Sequence, residues 1–469
     1  MEKLVKIDKK NLNILYIVTL IVFIAIGVFE GVNHEAWADE AQAWLITRDT
    51  SFTNMFKAAS YEGTQPLWYI VIKLFQLVKL PYSCFFVVSL TVSVIGVVIL
   101  FFFTDISVVS KILIAFSFTA MYQNVAVARN YSLVFPFMML IAAAYDKRKE
   151  KPLLYYLGVF LLSLTSSYGT LIAGSFFLAD AHEILGMFKD KEKRQKKFVL
   201  GYFLCGALIG VLTLLVLPPD DVSFSPGNSG KTIFRHITTI FLLNIDNEII
   251  SALVFALLAS FFIVYLKSSK STLKALIMVL PILMYIRVFA GNNWHYTNIY
   301  FLIIAVLIMF KPDFNEMNKG IANFLKAFAV IVLCSQVALT AYAVQFDYKE
   351  DYSGSEKAAE FISEYVENGD AILSADYYGT ALQPYFDKNI YVNHPGDAGY
   401  YWWSSNNNYN ISYNLTKIEK TVGKKPDVIV TGPNFKDDFA RYEKHVFSGN
   451  MCYKNIISHD SEITVWVKN

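Results

Sequence analysis

The sequence predicts a polytopic α-helical membrane protein that ends in a small α/β domain. Of the 469 residues, 55% are hydrophobic and the mean hydropathy is +0.40, which is too apolar for a water-soluble protein. The apolar residues come in runs close to the roughly 20 residues that a helix needs to cross a bilayer. After residue 345 the composition becomes acidic, with 18 Asp and Glu against 12 Lys and Arg. A membrane portion, residues 1–345, and an extracytoplasmic domain, residues 346–469, follow from this change.

Membrane segments are expected to be helical because hydrocarbon offers the backbone no hydrogen-bond partner except itself. Residues 66–145 contain four apolar segments, yet only an odd number of crossings can connect their two ends, so the sequence predicts about eleven crossings and leaves open which segment fails to cross. The candidate segments are 12–30, 66–81, 84–103, 110–127, 131–145, 152–168, 170–188, 198–218, 247–266, 273–290, 296–310 and 321–345.

Short basic loops fix the expected orientation, because Lys and Arg accumulate on the cytoplasmic side of a membrane protein. The loops 1–10, 146–151, 189–197 and 267–274 are rich in Lys and Arg. We therefore expect a multi-pass protein of the cell membrane with a cytoplasmic N-terminus and an extracytoplasmic C-terminal domain. Membrane lipids are expected partners, and no nucleic-acid partner is expected.

The C-terminal domain is predicted from alternating helix and strand patterns. An amphipathic helix and a buried strand are expected in "SEKAAEFISEYVENGDAIL", a second strand in "KPDVIVTG", a helix in "NFKDDFARY" and a last strand in "SEITVWVKN". No G-x-G-x-x-G motif and no P-loop occurs, so nucleotide chemistry is not indicated. The aromatic stretch "YYWWSSNNNYN" (400–410) fits either a structural loop or a surface that stacks on sugar rings.

An unusual density of acid and indole follows the first apolar run, in "HEAWADEAQAW" (34–44). If this stretch is helical, Asp39 and Glu40 point in different directions, so one of them can face a groove at the membrane surface. The same outer loop ends in "YEGTQPLWY", which contains Glu62 and re-enters the membrane through Gly and Pro. Carboxylates at this position are candidates for general acid–base chemistry.

Basic and aromatic residues at other membrane edges complete a candidate site. Arg129 and Tyr131 lie in "ARNYSL" before an apolar segment, and Arg287 and His295 lie in "IRVFAGNNWHYTNIYF" (286–301). An Arg at the edge of a membrane segment is costly and therefore suggests a function. A guanidinium that lies near carboxylates at one membrane surface is expected to bind an anionic substrate that is carried by a lipid.

The order of "DE", "YEGTQPLWY" and "ARNYSL" resembles the GT-C membrane glycosyltransferases. Within them it is similar to bacterial relatives of protein O-mannosyltransferases and aminoarabinose transferases, the glycosyltransferase family 39-like proteins. The resemblance covers residues 12–310. It implies a polyprenyl-phosphate-linked sugar donor, inversion at the anomeric carbon and a catalytic acid in the first outer loop, which corresponds to Asp39. Two positions depart from the pattern: Ala38 stands where His is common, and "NNWH" replaces a later "RH".

Seven residues are therefore the expected site. Asp39 and Glu40 are the catalytic candidates, with Asp39 as the base that activates the acceptor. The substrate-binding candidates are Glu62, Arg129, Tyr131, Arg287 and His295. The acceptor is expected to be a lipid, a glycan or a protein.

A divalent metal ion, Mg²⁺ or Mn²⁺, is an alternative means of holding the donor phosphate. Its oxygen ligands would come from Asp39, Glu40 or the outer sequence "PPDD" (218–221). The sequence contains no C-x-x-C and no H-E-x-x-H motif that would indicate a different metal site.

Two other functions are compatible with a membrane protein of this composition. A transporter or flippase for a lipid-linked sugar would show inverted repeats and ionisable groups at the midplane, whereas the charges here cluster at one surface. An accessory subunit of cell-envelope polysaccharide assembly would not need the acidic first loop. Glycosyl transfer is the function that the sequence favours.

Overall fold

The computed structural model describes residues 8–189, 195–215, 217–223, 233–242, 245, 247–288, 293–393, 399–405, 419–420, 423, 425–433, 439, 441–453 and 456–469. Apolar helices dominate this part of the chain, as the hydropathy predicts. The helices are α1 Lys9–Asn33, α2 Ala38–Asp49, α3 Phe52–Tyr61, α4 Leu67–Leu77, α5 Phe86–Phe103, α6 Val108–Ala115, α7 Val134–Ala144, α8 Pro152–Ser163, α9 Ser167–Lys189, α10 Lys196–Leu215, α11 Ile233–Phe241, α12 Glu248–Ser268, α13 Thr272–Val288, α14 Tyr296–Met309, α15 Lys319–Asp347 and α16 Ser355–Glu367.

Helix α4, which belongs to the predicted segment 66–81, begins and ends on one face of the molecule. Its first residue, Leu67, donates its N–H to the carbonyl of Leu164, which lies in the turn between α8 and α9. The ring of Tyr82, shortly after α4, contacts Tyr385 of the C-terminal domain. Both ends of α4 therefore lie at the face of the molecule that carries this domain, which we call the domain face. This placement is the one expected of the segment that does not cross.

Six helices of the described chain are long and apolar enough to span a membrane by themselves. They are α1, α5 together with the turn before it (Tyr82–Phe103), α9, α10, α12 and α15. Shorter apolar helices accompany them, among them α8, α13 and α14. The number of about eleven crossings stays a prediction.

The irregular chain after α6 positions the functional site. The helix ends at Ala115, and the hydroxyl of Ser117 then accepts the N–H of Ala120 at the start of the π-helical turn. The carbonyl of Asn124 accepts the hydroxyls of Ser93 and Ser132, so the backbone stays satisfied although it is not helical. This path brings residues 125–129 to the domain face just before α7.

The C-terminal domain is an α/β unit, as predicted. Helix α16 and strands β1, β2 and β6 coincide with the expected elements, whereas β3, β4 and β5 were not predicted. The four-stranded sheet has the order β1-β2-β6-β3, in which only β1 and β2 are parallel, and β4 pairs with β5 in a separate hairpin. The helix expected in "NFKDDFARY" falls mostly outside the described residues. The strands are β1 Ile372–Ser374, β2 Val428–Thr431, β3 Tyr442–Phe447, β4 Met451–Tyr453, β5 Ile456–Ser458 and β6 Ile463–Lys468.

This domain packs directly on the first loop of the membrane portion. Ala38, at the start of α2, belongs to the same apolar cluster as Ile372 and Val428 of the sheet. Polar contacts reinforce the packing, because Ser355 donates its hydroxyl to the carbonyl of Ala36 at 2.7 Å. The residues before and inside α2 thus contact both parts of the protein, and the functional site lies at this junction.

Candidate functional site

A cavity of about 690 Å³ lies at the domain face, between the first loop, the ends of the membrane helices and the C-terminal domain. A volume of this size falls in the range of small-molecule sites. The chemistry-bearing residues of its wall are Asp39, Gln42, Glu62, Arg129, Tyr131, Tyr168, His295, Tyr377, Tyr378, Trp403 and Asp460.

Asp39 and Arg129 form an ion pair in the wall of this cavity. One carboxylate oxygen, Oδ2, accepts from the guanidinium, and the other, Oδ1, accepts from the hydroxyl of Tyr377 at 2.8 Å. Burial and the nearby Asp39 charge raise the pKa of Tyr377 well above its ordinary value, so its hydroxyl stays protonated and donates. The three groups come from α2, from the chain before α7 and from the C-terminal domain.

The beginning of α2 separates the two acids that the sequence placed side by side. Asp39 points into the cavity, whereas Glu40 turns back and accepts the N–H of Trp37 at 3.3 Å, which satisfies a backbone donor at the start of the helix. The other oxygen of Glu40 accepts the N–H of Ala128 at 2.7 Å. Glu40 is 1% exposed and lies outside the cavity wall.

Behind Glu40 lies a second buried ion cluster. His34 is 3.1 Å from Glu40 and 3.5 Å from Asp347, the last residue of α15, and Asp347 also accepts the hydroxyl of Tyr122 at 2.8 Å. Burial opposes a charge on His34, but the two carboxylates outweigh it and raise its pKa to about 10. A protonated His34 therefore joins the ends of α1 and α15 to the start of α2.

Glu62 also lines the cavity and is fixed by Gln42. The amide nitrogen of Gln42 donates to Glu62 and to the carbonyl of Tyr401, both at 2.6 Å, while its oxygen accepts the N–H of Tyr401 at 2.8 Å. Removal from bulk water, together with the charge of Asp39, raises the pKa of Glu62 to about 8. At neutral pH this carboxyl is mostly protonated.

Aromatic rings surround Arg129 on the side of the membrane helices. Its guanidinium lies 5.8 Å from the ring centres of both Trp37 and Tyr131, within the range of a cation–π contact. His295 stacks on Tyr168 with 4.8 Å between ring centres. Burial and the Arg129 charge lower the pKa of His295 to about 3, so the imidazole is neutral at physiological pH.

Five of the seven residues expected from the sequence line the cavity together: Asp39, Glu62, Arg129, Tyr131 and His295. Glu40 does not, for the reason given above. Arg287 belongs to α13, but its side chain lies outside the described part of the structure. Of the two Trp residues in "HEAWADEAQAW", Trp37 lines the cavity, whereas Trp44 packs against Tyr82 and Phe85 and does not.

Sequence reasoning missed Gln42 and Tyr377, and it named Trp403 only as part of the aromatic stretch 400–410. Gln42 carries a usable signal, because it lies one helical turn after Asp39 and therefore on the same face of α2. Tyr377 carries none, since it reaches the site only through the docking of the C-terminal domain. Of the aromatic stretch 400–410, the structure describes residues 400–405. Among these, Trp403 lines the cavity.

The described residues contain no group of three or more His, Cys, Asp and Glu side chains that could hold a metal ion. Both oxygens of Asp39 already accept from Arg129 and Tyr377. Asp221, of the "PPDD" sequence, accepts the hydroxyls of Tyr61 at 2.9 Å and Ser404 at 2.5 Å, and so ties the chain after α10 to the C-terminal domain.

No protein-family model and no curated protein matches the sequence. Among solved structures, the chain is similar to ArnT from Cupriavidus metallidurans in the apo state, with a TM-score of 0.56 and 12% identity over 97% of both chains. It is also similar to the same ArnT bound to undecaprenyl phosphate, with a TM-score of 0.50 and 11% identity over 97% of both chains. The chain therefore shares the fold of ArnT over nearly its whole length.

Proposed function

We propose that this protein is an inverting glycosyltransferase that uses a polyprenyl-phosphate-linked sugar as donor and works at the outer face of the membrane. The observation that carries the proposal is the Asp39–Arg129 pair in a cavity bounded by membrane-helix ends on one side and a polar domain on the other. A donor whose tail stays in lipid can present its phosphate to Arg129. The ArnT structure with bound undecaprenyl phosphate supports a lipid of this class.

Each charged group then has a task. Arg129 holds the departing phosphate, which gathers negative charge as the glycosidic bond breaks, and its planar fork suits two phosphate oxygens. Asp39, released from Arg129 by the phosphate and held by Tyr377, accepts the proton of the acceptor hydroxyl. Glu62, protonated at neutral pH, adds no further negative charge beside the donor phosphate. Glu40 and His34 position Asp39 and Arg129 and do not contact substrate.

The proposed orientation puts the N-terminus in the cytoplasm and the C-terminal domain outside. At the face opposite the domain, Arg148 and Lys274 lie in a cluster with Asp180 and Glu183. Both basic residues belong to the loops and helix ends that the charge rule assigns to the cytoplasm. A transporter is less well supported, because the cavity carboxylates and Arg129 lie at one end of the helices and not near their midpoints.

The proposal is tested by lipid binding and by transfer. Purified protein in nanodiscs should bind undecaprenyl phosphate, and Arg129→Ala should weaken this binding by about tenfold or more because a charge-assisted pair is lost. Arg129→Lys should restore only part of it, since the ammonium lacks the fork. Arg441→Ala, an exposed change in the C-terminal domain, is the control. Equal binding by all four proteins would reject the assignment of Arg129.

A further inference from the structure

We propose that the acceptor is an uncharged glycan whose sugar ring stacks on an aromatic wall formed by Tyr377, Tyr378 and Trp403 of the C-terminal domain. This inference rests on the proposed glycosyl transfer and assigns the substrate class of the second subsite. All three side chains line the cavity and are half-buried, so part of each ring faces the space in which a substrate would lie.

The side from which the acceptor approaches follows from the geometry of the Asp39 carboxylate. In an inverting transfer the acceptor oxygen attacks the anomeric carbon from the face opposite the leaving phosphate. In the proposed reaction the phosphate lies at Arg129, which contacts Oδ2 of Asp39, whereas Tyr377 contacts Oδ1. The phosphate frees Oδ2 from Arg129, so Oδ2 accepts the proton of the acceptor hydroxyl while Tyr377 keeps its bond to Oδ1. The acceptor ring must then lie on the side of Asp39 away from the phosphate, next to Tyr377, and this side is the aromatic wall.

Ring packing and hydrogen bonds from α2 hold the wall in place. The Trp403 ring lies 4.9 Å from the rings of both Tyr377 and Tyr401. Gln42 fixes the backbone of Tyr401 from both sides, and Asp49 accepts the N–H of Gly399 at 2.8 Å. Because α2 supplies both Gln42 and Asp49, the helix that carries Asp39 also sets the position of the wall.

The chemistry of the wall suits a neutral sugar ring. The C–H face of a pyranose packs on an aromatic face, and the Tyr378 hydroxyl and the Asp460 carboxylate can bond sugar hydroxyls. Asp460 lines the same cavity, and together with Asp39 it disfavours an acceptor that carries phosphate or carboxylate groups. A peptide acceptor would instead need backbone hydrogen-bond partners, whereas the wall offers mainly ring faces.

The test uses the full-length protein in nanodiscs with undecaprenyl phosphate present. The probes are a panel of neutral trisaccharides of glucose, galactose and mannose, the same trisaccharides carrying one phosphate, and a Ser/Thr-rich peptide. Binding is measured by saturation-transfer NMR. We expect a neutral trisaccharide to bind, its phosphorylated form to bind more weakly, and the peptide not to bind.

The matched variants are Trp403→Leu and Trp402→Leu. Trp402 is the neighbour in sequence, but its ring packs on Tyr61 at 4.5 Å and does not line the cavity. Trp403→Leu should weaken trisaccharide binding by about tenfold, the loss expected for one aromatic stacking face, while Trp402→Leu should not. A milder Trp403→Phe change should fall between them.

Three results would overturn the inference: no neutral trisaccharide binds, the phosphorylated sugar or the peptide binds better, or both Trp variants lose binding equally. Undecaprenyl phosphate binding, measured on the same samples, separates this outcome from failure of the proposed function. If the lipid still binds in an Arg129-dependent way but neutral sugars do not, the transferase proposal stands and the acceptor assignment falls.

Discussion

Glu40 accepts a hydrogen bond from the backbone N–H of Ala128 at 2.7 Å and thereby connects the two chain segments that carry Asp39 and Arg129. Asp39 is the residue before Glu40, and Arg129 is the residue after Ala128. One buried carboxylate therefore fixes the distance between the ion-paired groups of the cavity. This explains why two adjacent acids have different surroundings: one faces substrate, and its neighbour holds the site together.

The first prediction concerns His34, the cation that lies between the buried carboxylates of Glu40 and Asp347. His34→Gln should lower the free energy of unfolding by about 3 kcal/mol, because it leaves Glu40 and Asp347 buried together without the positive charge between them. Thermal unfolding in detergent, followed by the emission of the buried Trp residues, measures the change. His182→Gln, an exposed histidine on α9, is the control. Equal melting temperatures for both variants would show that His34 is not charged in the folded protein.

A second prediction concerns Asp39. Asp39→Asn should reduce transfer by about 10²-fold or more, since the amide cannot accept the proton. The same change should tighten undecaprenyl phosphate binding by about threefold, because Arg129 no longer pairs with a carboxylate and is open to the phosphate. Parallel assays of transfer and lipid binding separate the two effects. Transfer near the parent rate would mean that Asp39 only caps the helix.

Glu62 gives a prediction about pH. Its raised pKa of about 8 means that the carboxyl is neutral below this pH and becomes negative above it. The negative form would repel the donor phosphate, so the KM for donor should rise as the pH passes through about 8. Glu62→Gln keeps the neutral form and should remove this rise while retaining transfer at pH 7. A Gln variant whose kcat is strongly reduced at every pH, with an unchanged KM, would instead make Glu62 the base.

The membrane architecture was largely predictable because each spanning helix is a local property of its own residues. The placement of both ends of α4 at the domain face could be seen only in the structure, and Lys73 and Gln76 give a reason for it. These two residues lie on one face of the helix and donate to backbone carbonyls near the end of α2, at Thr47 and Trp44. Such bonds keep α4 alongside α2 at the domain face.

The candidate site was predictable in part, for a similar reason. Asp39, Glu62 and Arg129 lie at membrane edges. A charged residue there is costly, so the local sequence alone marks it as a candidate for function. The aromatic wall could not be found in this way. Tyr377 lies 338 residues from Asp39, and no local sequence pattern predicts the contact between them. Only the docking of the C-terminal domain on α2 brings the two together.

Tyr377 therefore gives the most direct test of whether the C-terminal domain takes part in catalysis. Tyr377→Phe removes the hydroxyl that donates to Asp39 at 2.8 Å and leaves the ring in the aromatic wall. Hydrogen bonds to charged groups contribute about 1.5–3 kcal/mol, so kcat should fall by about tenfold or more. The KM for acceptor should change little, because the ring face is kept. Tyr365→Phe, on α16 and outside the cavity wall, is the matched control for the loss of a tyrosine hydroxyl. A Tyr377→Phe variant with a raised acceptor KM and an unchanged kcat would assign the hydroxyl to acceptor binding and not to the support of Asp39.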